Sequence, residues 1–464
     1  MAAAVVVLQS RAGRSAAAAA AANAAAAANK TKSACHECVR LRTAKTRTCA
    51  TTARGGGSDE LGDARPLLRG AYAAEARRAF EAVSTASFLS RTAQDAVMAN
   101  AGRSAEQKSD LSPVTIGDYG VQALVSWYLG ETQEKADAAT PTLRLVAEET
   151  TSTLREEGGA AMLAGVADVF NGALRSASSM SASKGMLLED RMASFDAQGE
   201  DILEYIDRGG DAGGSSGRVW VLDPIDGTIG FVNGRQYAIA LALLEDGVPV
   251  LGVLGCPNLD NNNNGGSSSG GGGGGAGGGG RGTMFVAVRG EGAFVGDCFP
   301  SQAAGDACQR FPSRKIAMRT PMPGDELSQY LASCRFMESV EAAHSNHALS
   351  SAIAIHLGVV NEPVRIDSQA KYGALARGDG DMYMRFPKPG YKEKIWDHAA
   401  GAVVITEAGG IVSTGAGDAL DFGRGRFLEN THTGIVAGVP QVHASLIRAV
   451  DEATRKDVSP PPAM

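Results

Sequence analysis

In Val219-Trp220-Val221-Leu222-Asp223-Pro224-Ile225-Asp226-Gly227-Thr228, a short apolar run ends in two aspartates three residues apart. Val219 to Leu222 read as a buried strand. Beyond it the chain enters a turn, because Pro224 fixes one φ and Gly227 permits a tight or left-handed backbone. Asp223 and Asp226 converge when the chain folds back. Ile225 can offer a site only its carbonyl oxygen, which is a good ligand for a hard cation. Carboxylates plus a carbonyl, with neither His nor Cys, favour Mg²⁺ over zinc. Thr228 and its N–H stand where a following helix would begin, a natural cradle for a phosphate group. The competing explanation is an ordinary Asx turn that caps a helix.

Outward from this stretch, helices and strands intermingle. Tyr237 to Glu245 and Val248 to Cys256 read as strands joined at Asp246-Gly247, a two-residue hairpin signal. Strand-like MFVAVRGEGAF follows at 284–294. Upstream, residues 66–100 carry apolar positions at helical spacing and predict one or two helices, then a loop, then a helix in GDYGVQALVSWYLGE. Downstream, residues 397–408 predict a helix closed by Gly409-Gly410. Strands are expected at Ile411 to Ser413 and Gly434 to Ala437, and a terminal helix from about Gln441. Hairpin and crossover patterns together predict a layered α/β body.

Length and composition set the outer limits. The 464 residues are 44% hydrophobic and 20% charged, ample for a sizeable core and for two domains or three at about 150 residues each. They exclude a disulfide-dense miniprotein and a wholly disordered chain. The Ala runs 16–22 and 24–28 are broken by Asn23, and no run of about 18 strongly apolar residues argues for a membrane span. Residues 1–58 hold nine basic residues and one acid, which leaves 35 basic against 50 acidic residues, a net −15, for the rest. So acidic a body repels nucleic acid, and it handles a small anion only where local positive charge such as a metal is supplied. The Ala-rich, Arg-bearing segment 1–58 has the composition of an organellar transit peptide, with a disordered cytosolic tail as the alternative. Cys35-His36-Glu37-Cys38 lies inside it without a second pair. Cys256, Cys298, Cys308 and Cys334 fit no zinc spacing, and free thiols or one disulfide both remain open. Asn261 to Gly280 is a Gly/Ser/Asn tract with nothing to pack and predicts a flexible, disordered excursion.

Other acids stand at element ends. Glu148-Glu149 follows an apolar run and can bring a carboxylate to a strand end. Asp397 opens a helix in Trp396-Asp397-His398-Ala399-Ala400-Gly401; it can be an N-cap, and capping does not preclude metal ligation. Asp118 lies in Ser112-Pro113-Val114-Thr115-Ile116-Gly117-Asp118-Tyr119 at an expected loop-to-helix junction, where capping is equally open.

DPIDGT at 223–228, WDHAAG at 396–401, SPVTIGDYG at 112–120 and the glutamate pair at 148–149 make the chain resemble the inositol-monophosphatase-like, Mg²⁺-dependent, lithium-sensitive phosphatases. IDSQAKYG at 366–373, HSNH at 344–347, DMYMRFP at 381–387 and YKEKIWDHAAG at 391–401 narrow the resemblance to the 3′(2′),5′-bisphosphate nucleotidases, over about residues 70–455. The resemblance implies two α/β domains stacked as alternating α-β-α-β-α layers with the site between them. It implies a metal-binding domain at 66–309, a nucleotide-contacting domain at 310–457 and a tail at 458–464. By position, it makes Glu148, Asp223, the carbonyl of Ile225, Asp226 and Asp397 the ligands of two or three Mg²⁺ ions. Asp118 and Thr228 become the water-activating pair. His344, Ser368, Lys371 and Arg385 become nucleotide contacts, with Thr228 and Asp397 also beside the substrate.

The implied reaction removes the 3′-phosphate of adenosine 3′,5′-bisphosphate, giving AMP, and extends to the 5′-phosphosulfate analogue. An inositol (poly)phosphate phosphatase and a non-catalytic nucleotide sensor are the alternatives. The expected protein is a monomer acting on a small nucleotide in the chloroplast, or alternatively the mitochondrion, with no nucleic-acid or membrane partner. Two departures from the family pattern stand out: Ile229 occupies the place of a usual Lys beside the phosphate site, and Ala343 that of a usual Gly. Without the resemblance, Lys371 and Arg385 would read as solvated surface charge, and His398, in an oxygen-rich site, is not expected to ligate.

Overall fold

A computed structural model describes residues 67, 69–101, 113–136, 143–179, 186–261, 281–299, 311–341, 345–388 and 390–458. The expected transit segment, Cys308, His344, residues 262–280 of the Gly tract and the boundary at 309/310 lie outside these.

Side-chain alternation in two central strands sets the layers. In β2 (Arg218–Asp226) and β3 (Ala238–Glu245), Val219, Val221, Ala238, Ala240 and Ala242 enter one core, while Trp220, Leu222, Ile239, Leu241 and Leu243 enter the other. Both faces are covered, which is why these strands read as continuous apolar runs. They belong to a seven-stranded sheet in the order β1-β2-β3-β4-β5-β6-β7, with β1 (Leu145–Ala147), β4 (Val248–Cys256), β5 (Thr283–Val288), β6 (Gly292–Asp297) and β7 (Arg314–Ile316). Only β1 and β2 run parallel; the other pairs are antiparallel. The β3–β4 turn holds Asp246 at φ +51° and Gly247 at φ +76°, as the hairpin signal requires.

One face of this sheet carries α1 (Ala73–Ala101), α2 (Pro113–Ala136) and α3 (Gly159–Ser179), with the short α4 (Glu189–Ser194) and α5 (Gly199–Asp207) beside them. Of the stretch 66–100, which predicted one helix or two, residues 73–100 form a single long helix. Residues 113–116, expected as loop before GDYG, are already helix, since Pro113 suits a first helical turn. After the five-residue α6 (Thr228–Val232) and β3 to β7 come α7 (Leu327–Ser333), β8 (Phe336–Glu338), α8 (His347–His356), β9 (Val364–Arg365), α9 (Ala370–Arg377) and β10 (Met382–Arg385). α10 (Ala399–Glu407), β11 (Ile411–Thr414), β12 (Ile435–Gly438) and α11 (Pro440–Val458) complete the chain. The second sheet, in the order β11-β12-β10-β8-β9, has five strands. α9 and α10 fill the space between the sheets, and α8 and α11 cover the far side of the second. The layers are α-β-α-β-α, as expected.

The middle layer fits because it is small. Ala238, Ala240 and Ala242 face it, and at Gly252 any Cβ would lie 2.5 Å from the carbonyl oxygen of Ala400. The Ala-Ala-Gly-Ala start of α10 therefore lies almost against the strands. No helix among the described residues is long and apolar enough to cross a membrane.

Candidate active site

Parallel pairing of β1 with β2 builds the site. Ala147 is in register with Leu222, so the next residues, Glu148 and Asp223, leave the same edge side by side. The β2–β3 register then slips: Asp223 pairs with Ala240 and Asp226 with Ala238, which leaves one extra residue between them on β2. Pro224 has no N–H to give the ladder and sits in this bulge without loss. The strand thus continues through Asp226, further than its apolar run suggested, and the bulge re-aims the acids. Gly227 follows at φ +88° as the cap of α6.

A cavity of about 360 Å³, within the range of ligand clefts, is lined by Glu148, Asp223, Ile225, Asp226, Thr228, Ser368, Lys371, Arg385 and Asp397. All five expected metal-ligand positions therefore face one hollow. Asp118 is buried in α2, does not line it, and acts on Asp223 through its charge. Asp118 and Thr228 are not hydrogen-bonded to each other: the Thr228 hydroxyl lies 3.4 Å from the Ile225 carbonyl, to which it donates.

Three contacts join the acid turn to the middle layer. Gln369 N donates to Asp226 Oδ2 (2.5 Å). The Gln369 side chain donates to the Trp396 carbonyl (2.8 Å) and accepts from Gly401 N (3.1 Å), which fixes the turn that carries Asp397. That turn, Ile395–Asp397, is a 3-10 turn, so the predicted helix starts only at Ala399; its N-cap is His398, with no side-chain cap bond. Asp397 therefore does not cap α10. Ser368 has φ +64°, a strained conformation for a residue with a Cβ, beside the Asp226 turn.

The electrostatics describe carboxylates short of positive charge. Asp223 is buried, and its Oδ1 has no hydrogen-bond partner. Burial, then Glu148, Asp226, Asp397 and Asp118, push its pKa well above the carboxylate range. Burial raises Asp397 to about 8, with Arg385 opposing and Asp226 reinforcing. Burial and Glu148 raise Glu149 to about 7, and burial with the glutamate pair raises Asp118. An orphaned buried carboxylate oxygen among clustered oxygen donors fits a hard divalent cation.

The cations are more engaged than surface residues would be. Lys371 is buried, donates to the carbonyls of Ile366 (2.9 Å) and Ser368 (2.8 Å), and burial lowers it to about 8. It braces the Ser368 turn from below. Arg385 Nε and Nη2 bind Glu393 at 2.7 and 2.8 Å, and Nη2 lies 4.0 Å from Asp397. Lys394 Nζ lies 3.4 Å from Glu148 and over the Trp396 ring.

The sequence profile of the inositol monophosphatase family matches residues 131–455. The chain belongs to the inositol monophosphatase family. It is 44% identical over 386 residues to a 3′(2′),5′-bisphosphate nucleotidase of Oryza sativa, covering 83% of this chain and 96% of the rice protein. Identity to 3′(2′),5′-bisphosphate nucleotidase 1 of Arabidopsis thaliana is 42%, covering 73% of this chain and 85% of that protein. For the 3′(2′),5′-bisphosphate nucleotidase of Emericella nidulans it is 39%, with 75% and 90% covered.

Within this family member, the residues that sequence reasoning left without a role are Gln369, Glu393 and Lys394. All three lie inside the quoted motifs IDSQAKYG and YKEKIWDHAAG. Their partners are a backbone turn, an arginine and a glutamate distant in sequence, so no local spacing could assign them. Ile229 lines the cleft and is 43% exposed. An apolar side chain thus stands in the wall at the position where the resemblance leads one to expect a Lys. Among the described residues, Cys256, Cys298 and Cys334 are free and buried.

Proposed function

We propose that the chain is a Mg²⁺-dependent phosphomonoesterase that removes the 3′-phosphate of adenosine 3′,5′-bisphosphate to leave AMP, and that also accepts the 5′-phosphosulfate analogue. The observation that carries the reading is the unpartnered Asp223 carboxylate among Glu148, Asp226 and Asp397 in a cleft that also holds Arg385. The nucleotidase identity of the relatives gives the substrate class.

Glu148, Asp223, the Ile225 carbonyl, Asp226 and Asp397 would hold the metal ions. When bound, the ions supply the positive charge that a phosphate dianion needs to accept a nucleophile. The protein does the rest. Arg385 lines the cleft with Nε and Nη2 fixed on Glu393, which leaves Nη1 and the second Nη2 hydrogen for phosphate oxygens. Ser368, braced by Lys371, shapes the wall. Thr228 Oγ and Asp118 are the pair proposed to take the proton of the attacking water. Tyr391 and Pro387 add apolar surface to the same cleft, where a base can rest. Residues 1–58 are proposed to direct the chain to the chloroplast.

The test is phosphate release from adenosine 3′,5′-bisphosphate and from inositol phosphates, each with and without Mg²⁺ and Li⁺. Mg²⁺-dependent, Li⁺-inhibited release from the nucleotide is expected. Faster turnover of inositol phosphates would shift the reading to an inositol phosphatase. Asp226→Ala is expected to lose nearly all phosphate release; full activity in that variant would remove the metal argument.

A further inference from the structure

Glu393 has no part in the chemistry above, yet it is a fully buried anion behind Arg385, which lines the cleft. Its carboxylate accepts from Arg385 Nε (2.7 Å) and Nη2 (2.8 Å), and His398 Nε2 lies 3.1 Å away. The Glu393 carboxylate can only accept, so the His398 ring proton stands on Nε2, and Nδ1 of the neutral ring accepts from the Tyr372 hydroxyl 2.8 Å away. Glu393, Asp397 and His398 bring ligand-capable atoms within 4.8 Å of one another. A cation there would have to displace Arg385, because Glu393 and His398 already use those atoms on the guanidinium and on each other. Glu393, Arg385 and His398 therefore form a hydrogen-bonded brace, not a metal site.

Arg385 stands between two carboxylates. Its fork closes on Glu393, while its Nη2 stops 4.0 Å from Asp397 Oδ2, beyond hydrogen-bond reach. Were the fork to close on Asp397 instead, it would neutralise that carboxylate and occupy its lone pairs. Asp397 would then be lost as a cation ligand, and the Nη1 edge of Arg385, which the pair with Glu393 leaves open to the cleft, would be spent on it. We propose that Glu393 is a positioning residue: by holding the Arg385 fork, it keeps Arg385 available to the substrate anion and Asp397 free for the metal. The substrate half of this rests on the nucleotidase reading; the metal half does not. Burial alone would raise the Glu393 carboxyl, but Arg385 and the His398 hydrogen bond hold it at about 2, so the brace is charged throughout the working range.

The test is a double-mutant cycle on the full chain, read as Mn²⁺ binding by electron paramagnetic resonance without nucleotide. Glu393→Gln is expected to weaken Mn²⁺ binding roughly tenfold, the usual scale for a residue that orients metal ligands. Adding Arg385→Met should restore the lost affinity, because no guanidinium remains to close on Asp397. Unchanged affinity in Glu393→Gln overturns the proposal, and so does a loss that persists in the double variant. If Glu393→Gln does not fold, Arg385→Met alone decides: Mn²⁺ affinity at or above the parent's supports the proposal, and a drop overturns it. With substrate, Glu393→Gln should raise KM for adenosine 3′,5′-bisphosphate more than it lowers kcat at saturating Mg²⁺, and Glu393→Asp should recover part of the difference. A parent chain that binds Mn²⁺ but does not turn over the nucleotide would sink the nucleotidase reading and leave the Mn²⁺ cycle intact.

Discussion

Gly227 combines two constraints at one atom. Its φ is +88°, and an added Cβ would lie 2.9 Å from the Cβ of Ser368. Left-handed backbone costs a residue with a Cβ about 1–2 kcal/mol, and the collision adds to it. Gly227→Ala is therefore expected to cost roughly 2 kcal/mol in urea unfolding. It should also cut activity sharply, because the Asp226 and Thr228 positions hang on this turn. Wild-type activity in that variant would show that the turn can shift without consequence. Ile229, two residues on, is a simpler matter of charge. A unit charge about 4 Å from a phosphate in water-like surroundings is worth about 1 kcal/mol, or roughly fivefold in affinity. Ile229→Lys is expected to lower KM for the bisphosphate by that order, with the gain fading as salt rises. An unchanged KM would show that the cleft already carries enough positive charge.

Among the elements, α10 matters most, because the turn that precedes it supplies Asp397 and its flank packs on β3, β4 and β5, next to the strand β2 that supplies Asp223 and Asp226. Contact between Gly252 on β4 and the Ala400 carbonyl sets the helix-to-sheet distance. Gly252→Val places three methyl-sized groups where not even one fits. Overpacking of this kind costs about 1–3 kcal/mol. Displacement of α10 should also raise the Mg²⁺ concentration needed for half-maximal activity, since Asp397 moves while Asp223 does not. A Mg²⁺ requirement equal to the parent's, at reduced stability, would show that the helix repacks without moving its leading turn. Gln369 is the counterpart on α9. One side chain, tied to Trp396 and Gly401, couples two helix starts that the sequence separates by 27 residues or more.

For the protein as a whole, the acid cluster links stability to pH and to metal. Asp223, Asp397 and Glu149 hold protons in the folded state at pH values where the unfolded chain has released them. Folded pKa values above the unfolded ones mean that stability falls as pH rises, from about the ordinary carboxylate range near 4 up through about 8. Thermal unfolding in a chelator is expected to show Tm falling across this window, and Mg²⁺ should flatten the slope by taking the place of the protons. A metal at a hundred times its Kd adds about 2.7 kcal/mol. A chelated protein whose Tm is flat or rises from pH 5 to 8 would contradict the crowding of these carboxylates.

Local chemistry was enough to reveal the strand that ends in DPID, the β3–β4 hairpin, the small-residue helix after WDHA and the oxygen-only donor set. Each depends on neighbours a few residues apart: alternation, a turn dipeptide, a Gly cap, a choice of ligand type. Those same residues could not show that Asp397 leaves its helix uncapped, that Lys371 braces a turn from inside the core, or that Arg385 is shared between Glu393 and the cleft. The bulge that carries β2 through Pro224 was also out of reach, and the pattern at 66–100 left one helix or two open. The Asp397 turn and the bulge are settled by groups far away in the chain, while Lys371 and Arg385 bond residues three to eight positions away; all depend on burial that exists only once the two sheets close on the layer between them. Desolvation does the deciding there, because it makes every unpaired charge find a partner or stand ready for one.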